Sequence, residues 1–214
     1  MTTDFAGRHT MDSPDWYTPS CFVESSRKVM GSIDVDPASD AEANQIVKAE
    51  RFYDIQSNGL VQPWVGNVLL NPPGGSDDDG NGLVPQFWLK LMGEYWISRH
   101  CTQAVWVGYS LEQLQTLQGI GADYTPLDFT VCYLKKRIAF IENAAKKAAR
   151  IQKLLAKGDA PDASARSRKI AADIRAGKEP PNSPSHGNYI AYIGSSIGAF
   201  NFEFSQYGQV VVRC

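Results

Sequence analysis

At 214 residues, 43% hydrophobic and 11% aromatic, the chain can bury a full core, which excludes a disordered or low-complexity protein. A net charge of −2 does not by itself announce a nucleic-acid binder, and no apolar run reaches membrane-spanning length or forms a signal core, so a soluble, unexported, cytoplasmic protein is expected. Cys21, Cys101, Cys132 and Cys214 are scattered without CxxC spacing and His9, His100 and His186 form no metal-type group, so neither a disulfide framework nor a metal centre is expected.

In chain order, residues 1–15 read as a flexible polar lead-in. "TPSCFVESSRKVMG" reads as a helix capped by Thr18, with Pro19 early and Gly31 as its stop. "SIDVDPAS" predicts a strand over 32–36 that ends on Asp36 and Pro37. "DAEANQIVKAERFY" predicts a helix and "GNVLLNPP" a second strand. A glycine-rich acidic loop, "GGSDDDGNG", leads into a helix over "LVPQFWLKLMGEYWISRH". "AVWVGY" is a third, buried strand, and "SLEQLQTLQ" is helical. Strands thus alternate with helices through residue 120, which predicts an α/β fold with a doubly wound, mostly parallel sheet and right-handed crossovers.

The later chain differs. "FTVCYL", "GNYIAYIG" and "GQVVVR" are β-branched and aromatic, and predict further strands that include an antiparallel pair. Between them, residues 141–180 hold ten Lys/Arg against five Asp/Glu, while the rest of the chain holds 11 against 18. The near-neutral total therefore hides a basic insertion on an acidic body. Its Ala-rich first part, with apolar residues every three to four positions, predicts a helical arm. Lys146, Lys147 and Arg150 are its candidate contacts to nucleic-acid phosphate; a solvated helical hairpin is the alternative.

The end of the second strand carries the most chemistry. Asp36 and Asn71 each close a strand, and in doubly wound sheets ligands collect at the carboxyl ends of strands. Asn71 offers a side-chain carbonyl. Pro72 offers a backbone carbonyl with no N–H of its own, and Pro73 stiffens the start of the glycine loop. Two acceptors facing an exocyclic amine on a purine or pyrimidine would fix its orientation and favour a pyramidal nitrogen. The lone pair, otherwise delocalised into the ring, would then be free to attack a methyl group held in line.

"DWYTP" (15–19), "GSIDVDPASDAEAN" (31–44), "GLVQPWVGNVLLNPP" (59–73), "FWLKL" (87–91), "KKRIAF" (135–140) and "SPSHGNYIAYIG" (183–194) occur in an order that resembles the phage-type DNA N6-adenine methyltransferase family, within the class I AdoMet-dependent enzymes. The resemblance spans most of residues 15–194. It implies a Rossmann-like class I methyltransferase sheet as a single domain over 16–214, with S-adenosyl-L-methionine as cofactor and double-stranded DNA as partner. By the same resemblance Trp16, Tyr17, Thr18 and Pro19 would lie against the methyl donor, and Asp34, Asp36, Pro37 and Ala38 would occupy the strand-end donor site. Asn71 and Pro72 would grip the target amine, Pro73 would hold the loop, and Arg137 and Phe140 would sit near DNA or the base. Asp54 is the candidate hook for the donor ribose.

Two positions depart from the related pattern. The residue after the second proline is aromatic in related amino-methyltransferases and stacks on the extruded base, but here it is Gly74. Phe87, Trp88 and Tyr109 are the candidate replacement rings. The glycine-rich turn after the first strand is replaced by "DPASDAEAN". Methylation of cytosine N4 or of a modified or free nucleotide, and an inactive methyltransferase-like domain that keeps DNA or protein binding, are the alternative functions. Asp77, Asp78 and Asp79 read as a mobile, solvated loop.

Overall fold

A computed structural model describes residues 16–180 and 186–213. The predicted lead-in over 1–15 lies outside the described residues.

The chain opens with a short strand β1 (Trp16–Tyr17) and helix α1 (Ser20–Met30), followed by β2 (Val35–Asp36), α2 (Ala43–Val47) and β3 (Arg51–Phe52). A 3₁₀ turn over Gly59–Val61 leads to β4 (Gly66–Leu70). Helix α3 (Leu83–Met92) runs on into a π-helical turn over Gly93–Ile97, and β5 (Cys101–Gly108) and α4 (Glu112–Gly119) follow. Then come β6 (Thr130–Leu134), β7 (Ile141–Glu142), the helical pair α5 (Ala144–Asp159) and α6 (Ala165–Arg175), β8 (Tyr189–Ile193), α7 (Ile197–Phe204) and β9 (Gly208–Val211).

Seven strands form one mixed sheet in the order β3-β2-β4-β5-β8-β6-β9, and β1 pairs with β7 in a separate ribbon. The ladders from β3 to β5 are parallel. β8 runs antiparallel between β5 and β6, and β9 runs antiparallel to β6. The protein is thus an α/β fold whose sheet is mostly parallel with reversed late strands, compatible with a Rossmann-like arrangement.

Side-chain alternation along the central strands explains the layering. Val68, Leu70, Ala104 and Trp106 face the α3 and α4 layer, where Trp88 meets Trp106 edge-on at 5.0 Å. Leu69, Val105 and Val107 face the α1 and α7 layer, where Phe200 and Phe204 stack at 4.4 Å. Both faces of the central strands are dry, which is why they read as near-continuous apolar runs.

Several boundaries depart from the sequence expectations. Pro19, not Thr18, takes the N-cap position of α1, and no side chain caps it. Gly31 ends the helix as expected: its positive φ of 87° lets its N–H reach the Arg27 carbonyl at 2.7 Å. The strand expected over 32–36 is only Val35–Asp36. The helix expected over "DAEANQIVKAERFY" stops after five residues, because the Asn44 side chain bonds both the N–H and the carbonyl of Ala49 and turns the chain. Arg51–Phe52 then becomes edge strand β3. Helix α7 was not expected; its aromatic residues favour a strand locally, and burial of Phe200 and Phe204 decides otherwise. The basic insertion is a hairpin in which α5 and α6 pack chiefly on each other. Among the described residues no helix is long and apolar enough to cross a membrane.

Candidate active site

The strand order reverses between β2 and β4. From β2 the chain moves outward to β3, then crosses back and continues through β4 to β5 on the other side. Such a reversal opens a crevice at the carboxyl ends of the two strands it separates. Val35 pairs with Val68, so Asp36 and Asn71 leave the same edge of the sheet from adjacent strands, one on each side of the crevice.

Asn71 is half-buried, and its Nδ2 donates to the Trp16 carbonyl at 2.6 Å. A carbonyl only accepts, so the amide nitrogen must face it and Oδ1 must point the other way. Asn71 Oδ1 has no hydrogen-bond partner among the described residues. Pro72 is buried, and Pro73 and Gly74 are half-buried. Trp16 is itself held by the β1–β7 ribbon, where Trp16 lies opposite Glu142 and Tyr17 opposite Ile141. The Tyr17 hydroxyl donates to Asp40 Oδ2 at 2.8 Å, while Asp40 Oδ1 accepts the Ala43 N–H at 2.7 Å. The strap at 16–17 therefore ties the end of β4 to the segment after β2. Burial, reinforced by the Asp40 carboxylate, pushes the Tyr17 phenol well above its ordinary range.

Asp36 is buried, with 6% of its surface exposed. Burial pushes its carboxyl up to about 7, the Ala38 N–H and the Ser39 hydroxyl pull it back only in part, and Asp40 adds to the rise. The Ala38 N–H reaches Asp36 Oδ1 at 3.3 Å. Ser39 Oγ lies near the same carboxyl but makes no bond of proper geometry, and it is buried without a partner. Pro37 is fixed from behind: a side chain on Gly59 would place its Cβ 1.9 Å from the Pro37 carbonyl oxygen. The indole N–H of the fully buried Trp64 donates to Gly59 O at 2.8 Å. "GLVQPW" thus buttresses "DPAS", although the two lie more than 20 residues apart in the chain.

The structure corrects other site expectations. Asp34 lies away from the crevice. Its carboxylate accepts the Asn67 N–H at 2.7 Å, four residues, or about 13 Å, before Asn71 along the strand. Asp54 accepts the Ser57 N–H and hydroxyl at 2.8 and 2.7 Å and shapes a turn rather than offering a free hook. Trp88 is fully buried with its N–H on the Tyr124 carbonyl, and Phe87 is buried against Trp64, so neither ring is open to a substrate. Tyr109, just past β5, is 39% exposed. Within the acidic loop, Asp77 accepts the N–H groups of Asp79 and Asn81 and the Gln86 amide, while Asp78 and Asp79 are exposed. Among the described residues no group of three or more metal-type side chains assembles.

Asn188 is the residue that sequence reasoning missed. It is buried, accepts the Ile138 N–H at 2.7 Å and donates from Nδ2 to the Tyr109 carbonyl. It binds the "KKRIAF" segment, with exposed Arg137 and half-buried Phe140, to the end of β5. The available signal was a buried-strand asparagine just before "YIAYI", which must find partners.

On the arm, Arg150 is engaged by Glu142 through contacts of 2.7–2.9 Å, and Lys147 pairs with Glu179 at 2.7 Å. Neither stands as an uncommitted phosphate contact. The Lys146 side chain lies outside the described atoms. Lys153, Lys157, Arg166, Arg168 and Lys169 are exposed and form no ion pair within 4 Å among the described residues. A cavity of about 580 Å³, lined by Leu154, Lys157, Arg166 and Ile170 among others, sits at the arm's tip rather than at the crevice.

No family model, curated protein or solved structure matches the chain.

Proposed function

We propose that this protein is a DNA methyltransferase that transfers a methyl group from S-adenosyl-L-methionine to the exocyclic N6 amine of adenine. One observation carries the reading. Asn71 and Asp36 flank the reversal point of the sheet, and the bond to Trp16 turns Asn71 Oδ1 away as an unused acceptor.

The residues present fit the donor. Asp36 is a buried carboxyl with a single weak backbone partner, and Ser39 Oγ is buried with none. Both would be completed by a ligand carrying hydroxyl and ammonium groups. Trp16 to Pro19 on one side and Asp36, Pro37 and Ala38 on the other would hold it. When bound, the donor supplies an electrophilic methyl group on a sulfonium.

The chain's own contribution is positional. Asn71 Oδ1 and the Pro72 carbonyl accept the two N–H groups of the amine and orient its lone pair. Pro72 and Pro73 restrict the backbone in advance, so little reorganisation is needed. The target base would leave the duplex to reach the edge. The exposed cations of the arm would track the phosphate backbone.

Purified protein incubated with DNA and tritium-labelled donor tests this. Label in DNA, recovered as N6-methyladenine, is the expected result. N4-methylcytosine in its place would move the target to cytosine, and no donor binding at millimolar concentration would end the reading.

A further inference from the structure

Resting on that reading, we propose that the Tyr109 ring is the stacking platform for the substrate base, in the role that position 74 cannot fill. Gly74 has no side chain, yet a planar ring held only by two acceptors at its edge would tilt. Stacking between base and aromatic faces supplies the missing constraint. Of the three candidate rings, Phe87 and Trp88 are sealed in the core. Tyr109 remains exposed, at the carboxyl end of the strand next to β4.

The register places it. Leu70 pairs with Trp106, so Asn71 stands one residue and Tyr109 three residues past the same couple. Their strands are neighbours, about 4.8 Å apart. Tyr109 thus follows β5 off the same edge of the sheet that Asn71 leaves from the neighbouring strand β4. It is also held in place: Asn188 grips its carbonyl, and the His186 ring meets it edge-on at 6.4 Å. His186 in turn lies 3.6 Å from the Glu112 carboxylate. A ring on a held backbone, 39% exposed beside the strand end, can serve sequence-tolerant stacking on a base.

The test compares wild type, Tyr109→Ala and Tyr109→Phe. The probe is a short single-stranded oligonucleotide with one 2-aminopurine among thymines, followed by fluorescence, with calorimetry of S-adenosyl-L-methionine in parallel. Tyr109→Ala is expected to weaken probe binding roughly 5- to 150-fold, and Tyr109→Phe to stay within about twofold of wild type. Donor affinity should be unchanged in both. The platform is overturned if Tyr109→Ala binds and quenches the probe as wild type does, if Trp16→Leu carries the loss instead, or if wild type leaves the probe's emission as in the free strand. Wild-type kcat/KM for transfer in Tyr109→Ala would also remove it while leaving the methyltransferase reading intact. Absent donor binding in wild type would sink that reading without touching the probe result.

Discussion

The Asn71 amide nitrogen lies 2.6 Å from the Trp16 carbonyl oxygen, a bond between residues 55 apart in the chain. This contact sets which end of the amide faces the crevice. It also makes the N-terminal strap part of the candidate site, because the strap cannot shift without releasing Asn71.

Asn71→Ala removes both the anchor and the outward acceptor. Transfer is expected to fall by about 10²–10³, the cost of losing one preorganised polar contact to the reacting group. Stability should fall by only about 1 kcal/mol. Asn71→Asp sets a carboxylate oxygen against the Trp16 carbonyl, and should loosen the strap as well as abolish transfer. Thermal melts read beside label incorporation separate the two effects.

Asp36 predicts a pH dependence. Its carboxyl titrates near 7 when folded against 3.8 ordinarily, so the folded state holds the proton more tightly. The stability this group contributes is therefore fully present below about pH 4 and is lost as pH rises through 7. The loss is on the order of 4 kcal/mol. Asp36→Asn escapes it. The variant should match wild type near pH 4 and melt progressively higher than wild type toward pH 8, while binding the donor more weakly. A gap in melting temperature that stays constant with pH would contradict the assignment.

Gly59→Ala drives a Cβ into the Pro37 carbonyl oxygen, which is backbone and cannot swing aside. A cost of about 1–3 kcal/mol is expected in urea unfolding. Because Pro37 borders the crevice, donor affinity should fall too, even though Gly59 touches no ligand.

The arm predicts a division among its cations. Neutralising Lys153, Lys157, Arg166 and Lys169 together should flatten the slope of log K against log salt for duplex DNA by up to about 0.9 per residue that contacts phosphate. Lys147→Ala should change that slope little. Arg150→Ala leaves the Glu142 carboxylate, 4% exposed, without its guanidinium partner. It should loosen the β1–β7 ribbon by about 1–3 kcal/mol, seen as a lower melting temperature.

Local pattern carried much of this protein. The apolar runs at 66–70, 101–108, 130–134 and 189–193 are strands because no helix of that length and β-branched content would bury both faces. The glycine at 31 stops its helix through a conformation other residues adopt at a cost. The charge asymmetry of residues 141–180 was also visible without coordinates. So was the placement of Asp36 and Asn71 at strand ends, since it needs only an alternating βα order.

Contacts between distant segments decided the rest. Helix α7 exists because Phe200 and Phe204 fill the α1 layer, against their local strand preference. β3 exists because Asn44 turns the chain at Ala49. Trp88 and Tyr109 are both plausible rings in sequence, but only packing reveals that one is walled in and the other open. Asn188, Gly59 and the Trp16 strap act across separations of 79, 22 and 55 residues. Sequence fixes which groups can donate, accept or stack; which of them meet depends on loop closure and layer packing, and no short window of residues contains that information.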